Sequence, residues 1–240
     1  IIMLTANAVV GAREQFLSAG FDDYLSKPIN PDKLDKMVLK YLPKELVISR
    51  ISDEVAHGSR VLDLGCGDGT LLKHLKEVRN VVGYGIEIDS NAILSCIKKD
   101  INVLHWNLND LPLDFPDHFY DTVILTHTLQ QVLRPKELID EMLRVGKEVI
   151  LSFPNFGQYK LRFKLLTGGR MPSTATLPDK WYETPNIKLL TVKDFYDFCE
   201  ENQIEILTHY FFRKSKFGMV PVHNFANLRA DVAIFKIKRK

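Results

Sequence analysis

The sequence predicts an α/β protein with a doubly wound, mostly parallel sheet that ends in an antiparallel strand pair, preceded by a short N-terminal α/β segment. Three observations carry that expectation. From Arg60 to Phe153, β-type apolar runs alternate with helically spaced ones, the pattern of parallel strands covered by helices. The first of these strands runs into Val61-Leu62-Asp63-Leu64-Gly65-Cys66-Gly67-Asp68-Gly69, and Glu87 arrives at the tip of the next strand. Last, Ile204 to Phe212 and Val232 to Ile237 are β-rich with no helical pattern between them, so antiparallel pairing is the economical arrangement.

The elements follow in order. Ile1 to Leu4 reads as a short buried-type strand and Ala12 to Ala19 as a helix that Gly20 stops. Tyr24-Leu25 is a brief strand. Pro31 opens a second helix with Leu34, Val38 and Tyr41-Leu42 at helical spacing, and Pro43 ends it. Residues 1–43 therefore form one segment and 44–240 a continuous α/β domain. In the latter, Ile48, Ile51, Val55 and Ala56 mark a helix before Gly58. Arg60 to Leu64 is a strand, and Leu71, Leu72 and Leu75 line the helix after it. Val81 to Ile88 is the second strand. Ser90 is the expected cap of a helix with Ile93, Leu94 and Ile97 on its inner face. Val103 to Trp106, Thr122 to Leu125 and Val149 to Phe153 are further strands, with a Pro135-led helix before the last. Val192 to Glu201 is helical. The basic cluster Lys236, Lys238, Arg239 and Lys240, alternating with Phe235 and Ile237, reads as the solvated face of an edge strand.

Composition narrows the function classes. The 240 residues suffice for one large domain and an appendage. A net charge of +2 argues against a nucleic-acid or membrane-surface partner. Cys66, Cys96 and Cys199 are odd in number and far apart, offering neither a disulfide framework nor a metal pair, which fits a reducing cytoplasm. The histidines have no ligand spacing, so no metal is expected. No apolar run is long enough to span a membrane and no signal peptide is visible. The chain opens on Ile1 and not on a methionine, as a fragment of a longer protein would.

The glycine turn points to a nucleotide-like ligand. A strand, a glycine turn, a helix, and an acid about 20 residues on form a nucleotide-binding half-unit, in which the acid accepts hydrogen bonds from ribose hydroxyls. Dinucleotide sites favour G-x-G-x-x-G, with the pyrophosphate on a helix N-terminus. Here the run is Gly65-x-Gly67-x-Gly69, bracketed by Asp63 and Asp68. Carboxylates beside a phosphate repel it; they suit a ligand carrying an amino group and a sulfonium. The alternative is a tight turn with no ligand.

This stretch resembles the first motif of class I S-adenosylmethionine-dependent methyltransferases, whose Rossmann-like sheet also ends in an antiparallel pair. The resemblance implies S-adenosylmethionine as cofactor. Asp63, Gly65, Cys66, Gly67, Asp68 and Gly69 would hold its methionine part. Glu87 with Ile88 would hold the ribose, and Asn107 with Leu108 the adenine. From about Leu46 to Phe212 the chain more specifically resembles the methionine biosynthesis protein MetW family. Its signatures are Gly83-Tyr84-Gly85-Ile86-Glu87-Ile88-Asp89, Thr128-Leu129-Gln130 and Glu141-Met142-Leu143-Arg144-Val145-Gly146. The most specific are Ser152-Phe153-Pro154-Asn155-Phe156-Gly157, Gly168-Gly169-Arg170-Met171-Pro172 and Trp181-Tyr182-x-Thr184-Pro185-Asn186-Ile187. The family is usually Asp at Asn107 and Gln at His127. It implies a role in methionine biosynthesis in support of a homoserine O-acyltransferase partner; the alternative is a small-molecule methyltransferase. Residues 1–43 resemble the C-terminal part of a response-regulator receiver domain, through Leu4-Thr5-Ala6-Asn7-Ala8 and Ala19-Gly20-Phe21-Asp22-Asp23-Tyr24-Leu25-Ser26-Lys27-Pro28. The acidic pair and phosphoacceptor of that family are missing, so no phosphotransfer is expected.

Catalysis is less legible. His127, just past the fourth strand, is the one candidate base; the alternative is a pocket-lining polar residue. Cys66 fits the loop as a small residue rather than a nucleophile. Asn155 after Phe153-Pro154 lacks the aromatic continuation of an adenine-amine methyltransferase. The insertion from Phe156 to Lys188 is long for such a connection and rich in aromatics, the composition of a lid or a docking surface.

Overall fold

The computed structural model describes residues 2–5, 19, 23–27, 46–172, 180–215 and 218–240. It divides into two compact units, residues 1–47 with 215–219, and 48–214 with 220–240. In the smaller unit, β1 (Ile2–Thr5) pairs in parallel with β2 (Asp23–Ser26), from Ile2 opposite Asp23 to Thr5 opposite Ser26. The two helices expected there lie outside the described residues, apart from Ala19, an exposed turn residue.

A helix, α1, covers 46–54, and the larger unit starts within it at Ile48. The central strand is β3 (Arg60–Leu64), whose Val61, Leu62 and Leu64 are fully buried, as expected of a parallel strand covered on both faces. It pairs in parallel with β4 (Val82–Glu87) on one side and β6 (Tyr120–Thr126) on the other. β5 (Asn102–His105) flanks β4, and β7 (Gly146–Pro154) flanks β6, both in parallel. Antiparallel strands complete the sheet. β10 (Val232–Arg239) lies between β7 and β8 (Ile204–Ser215) and runs opposite to both, giving the order β5-β4-β3-β6-β7-β10-β8. The order turns back between β3 and β6, which makes the carboxyl ends of β3 and β4 the natural place for a ligand.

The connecting helices are α2 (Thr70–Arg79), α3 (Ser90–Lys98), α4 (Pro135–Val145), α5 (Tyr159–Gly168), α6 (Val192–Glu201) and the short α7 (Ala226–Arg229). α4 starts with Pro135 and buries Leu138, Ile139, Met142, Leu143 and Val145 along one stripe. α6 opens on a capping box: Thr191 Oγ1 accepts from the Asp194 amide at 3.2 Å and Asp194 Oδ2 accepts from the Thr191 amide at 2.8 Å. Under it, the Phe235 ring lies 4.6 Å from that of Phe195 and 5.8 Å from that of Phe153. Asn155, just past β7 and 1 % exposed, ties three segments together. Its Nδ2 donates to the Ala230 and Asn227 carbonyls, and its Oδ1 accepts from the Gly157 and Val192 amides.

Four local expectations are corrected. α3 does not bury Ile93, Leu94 and Ile97 together: Leu94 and Ile97 are exposed, Ile93 is half-buried, and Cys96 is the helix's buried residue. α3 is capped by Asp89, whose Oδ1 accepts from the Ala92 amide at 2.8 Å, and Ser90 is already helical. The stretch between β8 and β10 holds a strand, β9 (Gly218–Pro221), and α7. β10 is interior to the sheet and not an edge. Its cations are neutralised locally: Lys236 Nζ pairs with Glu148 at 2.8 Å, Lys238 with Glu205 at 3.3 Å, and Arg239 with Asp140 at 3.1 Å.

Candidate functional site

The turn between β3 and α2 is built from residues that stand where L side chains fit poorly. Gly65, Gly67 and Gly69 have φ of 68°, 55° and 75°. The turn is held to β4, since the Gly65 and Cys66 amides both donate to the Ile86 carbonyl, at 2.8 and 3.0 Å. Gly67 is the telling position: a Cβ there would meet nothing within 4 Å, so the left-handed turn faces open space. Gly85 in β4 needs its missing side chain for another reason. A Cβ there would collide with Cys66 Sγ.

Glu87 ends β4 and reaches across to the turn. Its Oε2 accepts from the Gly67 amide at 2.8 Å, and its Oε1 accepts from the Ile88 and Asp89 amides at 2.7 and 3.0 Å. Three backbone donors fix the carboxylate at the lip of a cavity of about 220 Å³. Gly65, Glu87 and Ile88 form one side of it, Trp106, Asn107 and Leu108 another, and Thr128, Gln131 and Val132 close it. Among the residues lining it, Glu87 is the one carboxylate and there is no histidine. Asn107 turns its Oδ1 to the Asn109 amide at 3.0 Å and to Asn109 Nδ2 at 3.1 Å, so its own amide nitrogen is the group left to offer a ligand.

Of the residues expected at the site, the structure brings Gly65, Glu87, Ile88, Asn107 and Leu108 to this cavity. Cys66, Gly67 and Gly69 shape the turn behind it. Asp63 sits beneath the turn, 1 % exposed, and neither carboxyl oxygen has a hydrogen-bond partner. Burial, with a contribution from the Glu87 charge, pushes its carboxyl up to about 8. Asp68 points away, to Lys99 Nζ at 2.7 Å and to the Thr70 hydroxyl and amide at the start of α2. Burial raises its carboxyl, but the bonds from Lys99 and Thr70 outweigh that and hold it below its ordinary value. Cys66 Sγ stands 3.9 Å from Cys96 Sγ. Burial first, then Asp63, drives the Cys66 thiol far above the thiol range, which suits packing and not nucleophilic attack. His127 is exposed and off the cavity wall, at φ 53° with its amide donating to the Ser152 carbonyl.

Trp106, Thr128, Gln131 and Val132 were not expected at the cavity. Trp106 follows β5 directly, next to Asn107, so its place was within reach. Thr128 precedes and Gln131 ends a 3-10 turn over Leu129–Gln131, which an α/β periodicity does not reveal.

The fold agrees with that of solved methyltransferases. A structure described as a SAM dependent methyltransferase from Archaeoglobus fulgidus matches with a TM-score of 0.60 at 16 % identity, over 88 % of this chain and 100 % of that one. Sheet order and glycine turn thus define a chain of the class I S-adenosylmethionine-dependent methyltransferase fold. Within that class the sequence is more specific: the chain belongs to the family described as methionine biosynthesis protein MetW, whose sequence model matches residues 47–237. The bifunctional methionine biosynthesis protein MetXA/MetW of Rhodopirellula baltica is 34 % identical over 199 residues, 79 % of this chain. The chain spans about a third of that relative, 32 % of its length. A further likeness, 41 % over 51 residues, is to the signal transduction histidine-protein kinase BarA of Escherichia coli K12. It covers 21 % of this chain and 6 % of that protein, too little to establish the receiver-type fragment expected from the sequence. Among the described residues, no helix is long and apolar enough to cross a membrane, and no cluster of His, Cys, Asp and Glu is placed to hold a metal.

Proposed function

We propose that residues 44–240 bind S-adenosylmethionine at the Glu87 cavity and support a homoserine O-acyltransferase in methionine biosynthesis, with 1–43 as an appendage. The observation that carries the cofactor reading is Glu87, a carboxylate fixed by three amides at the mouth of a cavity beside a glycine turn that faces open space. The residues fit the cofactor. Glu87 would take the ribose hydroxyls, Ile88 and Leu108 would flank the adenine, and the Asn107 amide nitrogen would donate to a ring nitrogen. The turn from Gly65 to Gly69 would face the methionine part. When bound, the cofactor offers an electrophilic methyl on a sulfonium.

A carboxylate has about four lone-pair directions. Three are in use at Glu87, and two ribose hydroxyls need two, so binding would draw the Gly67 amide off Oε2 and rearrange the turn. Nothing on the cavity wall is arranged as a general base, since Glu87 is committed to backbone amides. That favours a binding role over methyl transfer, although the fold likeness keeps the methyltransferase reading as the alternative. The acyltransferase link rests on the relative from Rhodopirellula baltica, whose name joins MetXA and MetW in one chain. Buried free thiols at Cys66, Cys96 and Cys199 accord with a reducing cytoplasm.

The partner reading is tested by co-expressing this chain with the homoserine O-acyltransferase of the same cell. Co-purification, and acyltransferase activity that falls when the chain is omitted, are the expected results. Full activity without the chain removes the proposal.

A further inference from the structure

The insertion after β7 forms a second, larger concavity that the cofactor reading does not use. Its volume is about 630 Å³, within the range of small-molecule sites. Phe156, Met171, Pro172 and Leu189 supply apolar wall, and Trp181 and Tyr182 stand edge-to-face with ring centroids 5.5 Å apart. The two rings are 74 % and 59 % exposed, an unusual outlay of aromatic surface. The bowl is held in shape from below. The Phe156 amide donates to the Leu190 carbonyl at 3.1 Å, and the Ile187 and Lys188 amides both donate to the Gln130 carbonyl, at 2.9 and 3.0 Å.

Among the described residues, its charge has one sign. Arg170 and Lys180 line it, with no acid among the lining residues, and Lys180 Nζ stands 5.5 Å from the centre of the Tyr182 ring. We propose that this bowl binds a small organic anion with an apolar or aromatic body, an aryl or acyl acid whose acid group lies between Arg170 and Lys180. Aromatic walls with paired cations favour such a ligand over a neutral one of the same shape, and over any cation. No residue lines both this bowl and the Glu87 cavity.

The chain's two tryptophans separate the sites: Trp106 lines the Glu87 cavity and Trp181 the bowl. In the Trp106→Phe protein, Trp181 emission is followed while anilinonaphthalenesulfonate is added, and separately N-phenylnaphthylamine, the same rings without the acid. The expected result is saturable one-to-one quenching by the sulfonate, with the neutral probe about tenfold weaker or more, the scale of a charge-assisted contact. Arg170→Glu with Lys180→Glu should lose the sulfonate by a similar factor, and Arg170→Lys with Lys180→Arg should keep it. Both cations are exposed, so these changes leave the core intact. Equal binding of the two probes, binding unchanged by charge reversal, or quenching seen only through Trp106 in the Trp181→Phe protein would each overturn the proposal.

Discussion

Glu87 does two jobs with one carboxylate. It anchors the glycine turn through the Gly67 amide and faces the cavity where a ribose would lie. Glu87→Ala should therefore weaken S-adenosylmethionine binding by about 1.5–3 kcal/mol, the scale of a charge-assisted hydrogen bond, or roughly tenfold and more in affinity. Calorimetric comparison with the unaltered chain measures this, and equal affinities would put the cofactor elsewhere. Asp63 gives a second residue-scale prediction. Its carboxyl is at about 8 in the folded chain against 3.8 for an unperturbed group, so the folded state holds the proton more tightly. Its contribution to stability is then complete below about pH 4, falls as pH rises towards 8, and levels off above that. The slope is at most about 1.4 kcal/mol per pH unit. Urea unfolding between about pH 5 and about pH 8 should show this decline, and Asp63→Asn should flatten it. Superimposable pH profiles for the two proteins would refute the assignment.

At the scale of the element, the turn and β4 form one packed unit. Gly85 is glycine because Cys66 occupies the space where its side chain would go. Gly85→Ala should destabilise the fold by about 1–3 kcal/mol through overpacking, and adding Cys66→Ala should return a large part of that loss. A double-mutant cycle by urea unfolding decides it; simple additivity would mean that the strain lies elsewhere. The elements also show where sequence reasoning works. The parallel strands were legible because strands buried on both faces are near-continuous apolar runs, interrupted by Asp63 alone in Val61 to Leu64 and by Ser152 alone in Val149 to Phe153. The place of β10 was not legible. Lys236 and Lys238 look solvent-facing in sequence, and only the fold brings Glu148 and Glu205 to meet them. Likewise, Asp89 and Ser90 are adjacent caps by residue type, and only geometry chooses Asp89.

For the whole molecule, the doubly wound sheet and its antiparallel finish were readable from the order of elements, and the glycine turn with Glu87 from spacing alone. The rest of the cavity was not. Trp106, Thr128, Gln131 and Val132 come from separate stretches that touch only once β5, the 3-10 turn and α4 are assembled around the strand ends. The second bowl was legible only as composition, a long aromatic insertion, because its cations and rings converge through the turn at 180–184 and the strap on Gln130. The family sets the setting, methionine biosynthesis, while the fold alone does not decide between binding a cofactor and using it. The central claim is that the Glu87 cavity holds S-adenosylmethionine. Calorimetric titration of the purified chain with S-adenosylmethionine, and separately with S-adenosylhomocysteine, tests it most directly. The account predicts saturable one-to-one binding of at least one of them, weakened about tenfold or more in Glu87→Ala. A folded chain that binds neither, alone or with the acyltransferase proposed as its partner, would contradict it.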